Sequence, residues 1–131
     1  MLKFKTEKEY NDFYSMALDP RIRVLCLAAA AWLELEHGRD FVLTSLIRSN
    51  AEEKRLGGSG VHAVGRAADG RLKDLPQEAV TSLTTFLDRY FYRGDASRGY
   101  PLYYVHGEGD NRHIHIQVGW QHRSSWKGLK V

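Results

Sequence analysis

The sequence predicts an α+β fold in which three helices pack against a small, mainly antiparallel sheet. Apolar residues recur at helical spacing in the first third of the chain and again after residue 74, whereas apolar, strand-like segments follow residue 40 and dominate residues 102 to 120. The last two of these segments are separated by only a short glycine-containing turn, which favours an antiparallel hairpin.

The length and the charge of the chain indicate one ordinary globular domain. Its 131 residues are enough for a single core, and we divide them into a helical N-terminal part (1–38) and a core region (41–120). The formal net charge is +3, and acidic and basic residues are interleaved, so no nucleic-acid partner is expected. Nothing in the sequence indicates an oligomeric state.

The N-terminal residues and the single cysteine indicate the cellular compartment in which the protein is made. The first nine residues contain no hydrophobic core of a signal peptide, and the apolar run from Val24 to Leu33 is too short to span a bilayer. Cys26 lies inside this run, where a buried, unreactive thiol is expected, and one cysteine forms no intrachain disulfide. We therefore expect synthesis in the cytoplasm without membrane insertion.

Two helices are predicted in the N-terminal part. Thr6-x-x-Glu9 is a capping-box pattern, and the helix after it is expected to reach about residue 17. Asp19-Pro20 begins a second helix, which Gly38 ends. Because this second helix is apolar almost all round, we expect it to be buried at the centre of the domain.

The core region is predicted to alternate between strands, loops and one helix. Residues 41–47 read as a buried strand that ends at Arg48, and residues 50–61 read as a charged, glycine-rich loop. The remaining predicted segments are a short strand (65–72), a helix (74–93), a polar loop (94–100), two strands (102–106 and 112–120) joined by the turn 107–111, and a basic surface tail (121–131).

Four residues suit a catalytic zinc site. His62 and Asp69 flank the start of the short strand, and alternation along the last strand puts His113 and His115 on the face opposite its isoleucines. Imidazole nitrogens and carboxylate oxygens are common zinc ligands, and three such ligands leave one position open. The histidine not used as a ligand could accept a proton from water, and Arg48 is available to stabilise an oxyanion.

The same residues carry a resemblance to a known family. His62-x-x-Gly65-x-Ala67-x-Asp69 resembles the His-x-x-Gly-x-Ala-x-Asp signature of the zinc D-alanyl-D-alanine carboxypeptidases, which include phage L-alanyl-D-glutamate endopeptidases and share the hedgehog fold. The segment ending at Arg48 is similar to the family's Thr-Ser-Gly-Tyr-Arg-Ser segment, and His113-Ile114-His115 is similar to its His-x-His motif. The chain departs from the pattern at Gly60, where the family has serine, and at Leu46-Ile47 in place of Gly-Tyr.

The resemblance implies a role for each residue. One zinc ion per chain would be bound by His62, Asp69 and His115, with His113 as general base and Arg48 binding the substrate or the transition state. Other family members use Asp/Glu-x-x-His, and Asp110-Asn111-Arg112-His113 fits that pattern as well. In that alternative Asp110 is the base and His113 the third ligand.

The implied activity is a zinc metallopeptidase that cleaves peptidoglycan stem peptides or crosslinks. The small size and the lack of a signal peptide resemble a phage or prophage product, which acts on the cell wall after release or as part of a phage particle. Two alternatives remain open at this point. One is a non-catalytic virion structural or binding module that retains the fold, with or without the metal, and the other is a small nucleic-acid-binding protein, which the pI of about 9.1 favours.

Overall fold

The computed structural model describes residues 1–58, 60–91 and 101–119, and the predicted α+β class is confirmed. These residues form one five-stranded sheet and four α-helices, one helix more than predicted. The strands are β1 (Leu2–Phe4), β2 (Phe41–Ser45), β3 (Ala67–Arg71), β4 (Tyr103–His106) and β5 (His113–Gln117). The helices are α1 (Glu7–Phe13), α2 (Pro20–His37), α3 (Asn50–Arg55) and α4 (Gln77–Tyr90).

The sheet is mixed, whereas a mainly antiparallel sheet was expected. The strand order is β1-β2-β3-β5-β4, and β1 pairs with β2 in parallel, with Leu2 opposite Phe41. The other three pairings are antiparallel. The parallel pairing follows from the connection between β1 and β2, because α1 and α2 intervene and return the chain to the same end of the sheet.

The second helix has the predicted limits but not the predicted burial. Asp19 accepts a hydrogen bond from the backbone N–H of Arg21, and Gly38 ends the helix with a φ of 62°. One side of α2 packs on the sheet and α4, while Val24 and Leu27 are each 49% exposed and Leu35 is 82% exposed. The expectation of an all-round buried helix is therefore wrong, because the sheet covers only one of its faces.

The predicted loop 50–61 begins with a helix instead. The side chain of Ser49 accepts a hydrogen bond from the backbone N–H of Glu52, which caps α3. The charged residues of this segment form that helix, and the glycines after it form the loop. The first helix is also shorter than predicted, since α1 ends at Phe13.

The remaining limits differ from the predictions by a few residues. Strand β2 ends at Ser45, β3 spans five residues, and α4 ends at Tyr90. A 3-10 turn at Gly109–Asn111 lies within the predicted hairpin connection. The predictions for the loop 94–100 and the tail 121–131 fall outside the described residues.

The core lies between α2, α4 and one face of the sheet. Fully buried side chains from these elements include Leu25, Leu33, Leu83 and Ile114. No helix among the described residues is long and apolar enough to cross a membrane. The opposite face of β3 and β5 is left to carry the polar side chains of the candidate site.

Candidate metal centre

His62, Asp69 and His115 lie together, and we call them the histidine–aspartate cluster. One potential ligand atom from each lies within 4.8 Å of the others, and the three residues are only 2%, 4% and 4% exposed. Strand pairing brings two of the three residues together, because Asp69 on β3 is the direct cross-strand partner of His115 on β5.

His62 reaches the cluster from the turn before β3. Its Nδ1 lies 2.8 Å from the backbone oxygen of Leu46, and because a carbonyl oxygen only accepts, Nδ1 carries the proton. In the neutral ring Nε2 then has a free lone pair. This Nε2 is buried without a hydrogen-bond partner in the described part of the chain, and it lies 3.3 Å from Oδ2 of Asp69.

The turn that presents His62 requires glycine at position 65. Gly65 has a φ of 70°, and its backbone N–H bonds to the carbonyl oxygen of His62 at 3.2 Å. A Cβ at this position would lie 2.0 Å from the backbone oxygen of Ala17. The glycine of the predicted signature therefore has a structural reason, in both its conformation and its contact with the segment before α2.

His115 is oriented by Gln117, two residues further along β5. The amide nitrogen of Gln117 donates to the backbone oxygen of Pro101 at 3.0 Å, which turns the amide oxygen toward His115. That oxygen lies 3.1 Å from Nε2 of His115, so Nε2 donates and Nδ1 of the neutral ring has the free lone pair. Nδ1 lies 2.9 Å from Oδ1 of Asp69.

In the neutral tautomers that these contacts select, both histidines direct a lone pair at the Asp69 carboxylate. Facing acceptors repel each other unless a proton or a metal cation lies between them. The donor set of two imidazoles and one carboxylate suits zinc, and each ligand histidine already donates its other N–H to an outer acceptor, as metal-bound histidines commonly do. The cluster therefore fits a divalent cation.

The pKa of Asp69 reflects the same arrangement. Burial would raise the pKa of this carboxyl, but its contacts with the rings of His115 and His62 together hold it well below its ordinary value. Asp69 is therefore ionised, as a carboxylate ligand must be.

Arg48 lies beside the cluster, and all three of its guanidinium nitrogens are engaged. Nη2 donates to Oδ2 of Asp69 at 2.9 Å, Nη1 to Oε1 of Glu53 at 3.0 Å, and Nε to Oγ of Ser45 at 2.9 Å. The predicted location of Arg48 near Asp69 is thus observed. Its role toward a substrate stays a prediction.

His113 lies next to the cluster but is not part of it. Its Nδ1 donates to the backbone oxygen of Asn111 at 2.8 Å, so its Nε2 has a free lone pair when the ring is neutral. The ring of His106 on β4 packs edge-on against it at a centroid distance of 3.8 Å. The geometry favours His115 over His113 as the third ligand, while Asp110 lines the same cavity from the 3-10 turn.

A cavity of about 550 Å³ opens over the cluster. It is lined by both catalytic candidates, Arg48 and His113, as well as by the cluster itself. A volume of this size suits a short peptide segment or another small ligand.

Three residues of the site were missed or left without a role by the sequence analysis. Glu53 is 3% exposed and binds Arg48, but its charged segment was predicted to be a loop. Tyr104 stacks on the ring of His115 at a centroid distance of 4.6 Å, and no sequence motif marks it. Alternation along the strand placed Gln117 on the histidine face. Its role in orienting His115 depends on the hydrogen bond to the backbone oxygen of Pro101, which the sequence pattern does not show.

Comparison of the chain with protein-family models, with curated proteins and with solved structures finds no match.

Proposed function

We propose that this protein is a zinc-dependent peptidase that hydrolyses peptide bonds in peptidoglycan stem peptides or crosslinks. The observation that carries the proposal is the convergence of two tautomer-fixed histidines on an ionised aspartate at the floor of a cavity. The resemblance of the motifs around His62, Asp69 and His115 supplies the reaction and the substrate class. We further propose the hedgehog-like fold that this resemblance implies.

His62, Asp69 and His115 would hold the zinc ion. When bound, zinc supplies Lewis acidity, which polarises a carbonyl group and makes water a stronger acid. The carbonyl oxygen of Leu46 and the amide oxygen of Gln117 each accept the N–H of the other ring nitrogen, which orients both rings and selects the tautomer whose ligand nitrogen has a lone pair. Arg48 holds the second oxygen of Asp69 through Nη2, so the carboxylate has one defined orientation.

His113 is the general base in this proposal. Its Nε2 is free to accept a proton, because Nδ1 is held as a donor by the carbonyl oxygen of Asn111. The charge of Arg48 at the cavity floor would stabilise negative charge that develops on the substrate oxygen. The site of action would be the cell wall, reached after release from the cytoplasm or on a phage particle.

Metal analysis and a hydrolysis assay test the proposal together. We expect about one zinc per purified chain, lost in His115→Ala and retained in His113→Gln. Wild-type protein should release new amino groups from purified peptidoglycan, and both a chelator and His113→Gln should abolish that release. Folded wild-type protein that binds no zinc would contradict the proposal.

A non-catalytic module is the second candidate function. The specific observation in its favour is the engagement of all three nitrogens of Arg48 with Ser45, Glu53 and Asp69, which uses three of its five N–H donors within the protein. A virion structural or binding module with a retained metal would show about one zinc per chain and no amino-group release from peptidoglycan.

A further inference from the structure

Two neighbouring rows of side chains cross the cavity face of the sheet. Asp69, His115 and Tyr104 are consecutive cross-strand partners on β3, β5 and β4, and they form the first row. Two residues along each strand, a second row is formed by Arg71, His113 and His106. We call this second row, which contains no carboxylate, the basic row.

Arg71 is the permanently charged member of the basic row. Its Nε lies 3.1 Å from Oδ2 of Asp74, a carboxylate whose side chain is 63% exposed. Its two terminal nitrogens make no hydrogen bond or ion pair with any residue that the structure describes. The guanidinium therefore retains donors for a second carboxylate, and the ion pair with Asp74 is weak because the carboxylate side chain is largely exposed.

Two further cations line the cavity beside Arg71. Arg112 donates to the neutral amide oxygen of Gln77 at 2.8 Å, so its charge is not compensated by that contact. Lys73 lines the same cavity, is exposed, and forms no ion pair within the described ranges.

The carboxylates at the cavity do not offset these charges. Glu53 and Asp69 both bind Arg48, and among the residues that the structure describes Asp110 is the one further acidic residue of the lining. The end of the cavity around the basic row therefore carries excess positive charge.

We propose that Arg71, assisted by Lys73 and Arg112, forms a subsite for a carboxylate of the substrate peptide. The inference rests on the proposed peptidase function, because it places this carboxylate relative to the bond held at the metal centre. Residues two apart on one strand face lie about 6.6 to 6.8 Å from each other, which is also the length of about two residues of an extended peptide. The preferred substrate therefore carries a negative charge within about two residues of the scissile bond.

Two synthetic pentapeptides test this preference. One is L-alanyl-γ-D-glutamyl-L-lysyl-D-alanyl-D-alanine with the free α-carboxyl of D-glutamate, and the other has this carboxyl amidated. Binding to the zinc-loaded protein is measured by calorimetry, and hydrolysis by amino-group release. We expect the free carboxylate to bind about tenfold more tightly, since a hydrogen bond to a charged group is worth at least that factor.

The variants separate this subsite from a general charge effect. Arg71→Gln should reduce the preference to about twofold or less, and Lys73→Gln should reduce it partly. Arg39→Gln removes one exposed positive charge from a residue that does not line the cavity, and should keep the full preference.

The outcomes distinguish the subsite from the proposed peptidase. Hydrolysis of both peptides with equal affinity would overturn the subsite and leave the peptidase intact. Tighter binding of the free carboxylate without turnover of either peptide would support the subsite and contradict the peptidase. A preference that persists in Arg71→Gln would overturn the assignment to the basic row.

Discussion

Gln117 fixes the tautomer of His115 through a hydrogen bond of 3.1 Å between its amide oxygen and Nε2 of the ring. The orientation of the amide is itself determined, because its nitrogen donates to the backbone oxygen of Pro101. A neutral glutamine, rather than a carboxylate, thus acts as the outer acceptor of a candidate ligand. The carbonyl oxygen of Leu46 fixes the tautomer of His62 in the same way, because it accepts the N–H of Nδ1.

Replacement of this glutamine should weaken metal binding without unfolding the protein. Gln117→Met retains the length of the side chain but removes the acceptor, so His115 loses its fixed tautomer and orientation. Loss of such an outer contact typically costs about 10- to 100-fold in metal affinity. Competition with a chromophoric chelator measures the zinc Kd. Gln117→Glu keeps an acceptor and should bind zinc more tightly than Gln117→Met, and equal affinities of wild type and Gln117→Met would contradict the proposed role.

The sequence contained enough information to predict the three members of the histidine–aspartate cluster. The spacing of His62, Gly65 and Asp69, and the alternation of His113 and His115, depend only on local geometry. The strand pairing that places Asp69 opposite His115 is non-local, and the motif predicted it only as a consequence of the resemblance.

Other features of the fold could not be predicted from local patterns. Strand β1 has only three residues, too few for alternation to be detected, and its pairing partner lies about forty residues away. Helix α3 has six residues, so helical periodicity could not develop, although Ser49 with Glu52 is a capping signal. The burial of Glu53 depends on Arg48 and was therefore invisible in the sequence.

Substitution of Gly65 should destabilise the protein far more than substitution of Gly38. Both have positive φ, of 70° and 62°, but only at Gly65 would a Cβ meet another residue, at 2.0 Å from the backbone oxygen of Ala17. Gly38→Ala should cost about 1 to 2 kcal/mol, from the left-handed conformation alone. Gly65→Ala adds overpacking, for a total of about 2 to 5 kcal/mol. Urea unfolding of the two variants measures the difference, and equal losses would show that the clash with Ala17 is relieved.

Glu53 should contribute to stability through Arg48, whereas Glu52 should not. Glu53 accepts from Nη1 of Arg48 at 3.0 Å and from the backbone N–H of Gly60 at 2.8 Å. Glu53→Ala leaves both donors without this acceptor and should cost about 3 kcal/mol. Glu52→Ala, in the same first helical turn, should cost less than about 1 kcal/mol, which is the contribution of an acidic residue near a helix N-terminus.

The same pair of variants bears on the site. Because Arg48 also binds Asp69, Glu53→Ala should weaken zinc binding, and Glu52→Ala should leave it unchanged. Thermal unfolding and chelator competition on both proteins provide the measurements. Glu53→Ala with wild-type stability would show that Arg48 finds a replacement partner.

Cys26 should make the protein less stable at alkaline pH. Burial raises the pKa of its thiol from 9.0 to about 12 in the folded state, because the charged thiolate is not solvated there. Above pH 9 the unfolded chain releases this proton while the folded chain retains it, so the free energy of unfolding falls with rising pH. The slope from this one group approaches about 1.4 kcal/mol per pH unit until the pKa of the folded state is reached.

Near neutral pH, Cys26→Ala should be less stable than wild type by about 1 kcal/mol. That difference should shrink and then reverse above pH 9, because tyrosines and lysines titrate equally in both proteins. Urea titrations of both proteins at several values between pH 7 and pH 11 test the expectation, and a difference that does not change with pH would show that the thiol is solvated in the folded state.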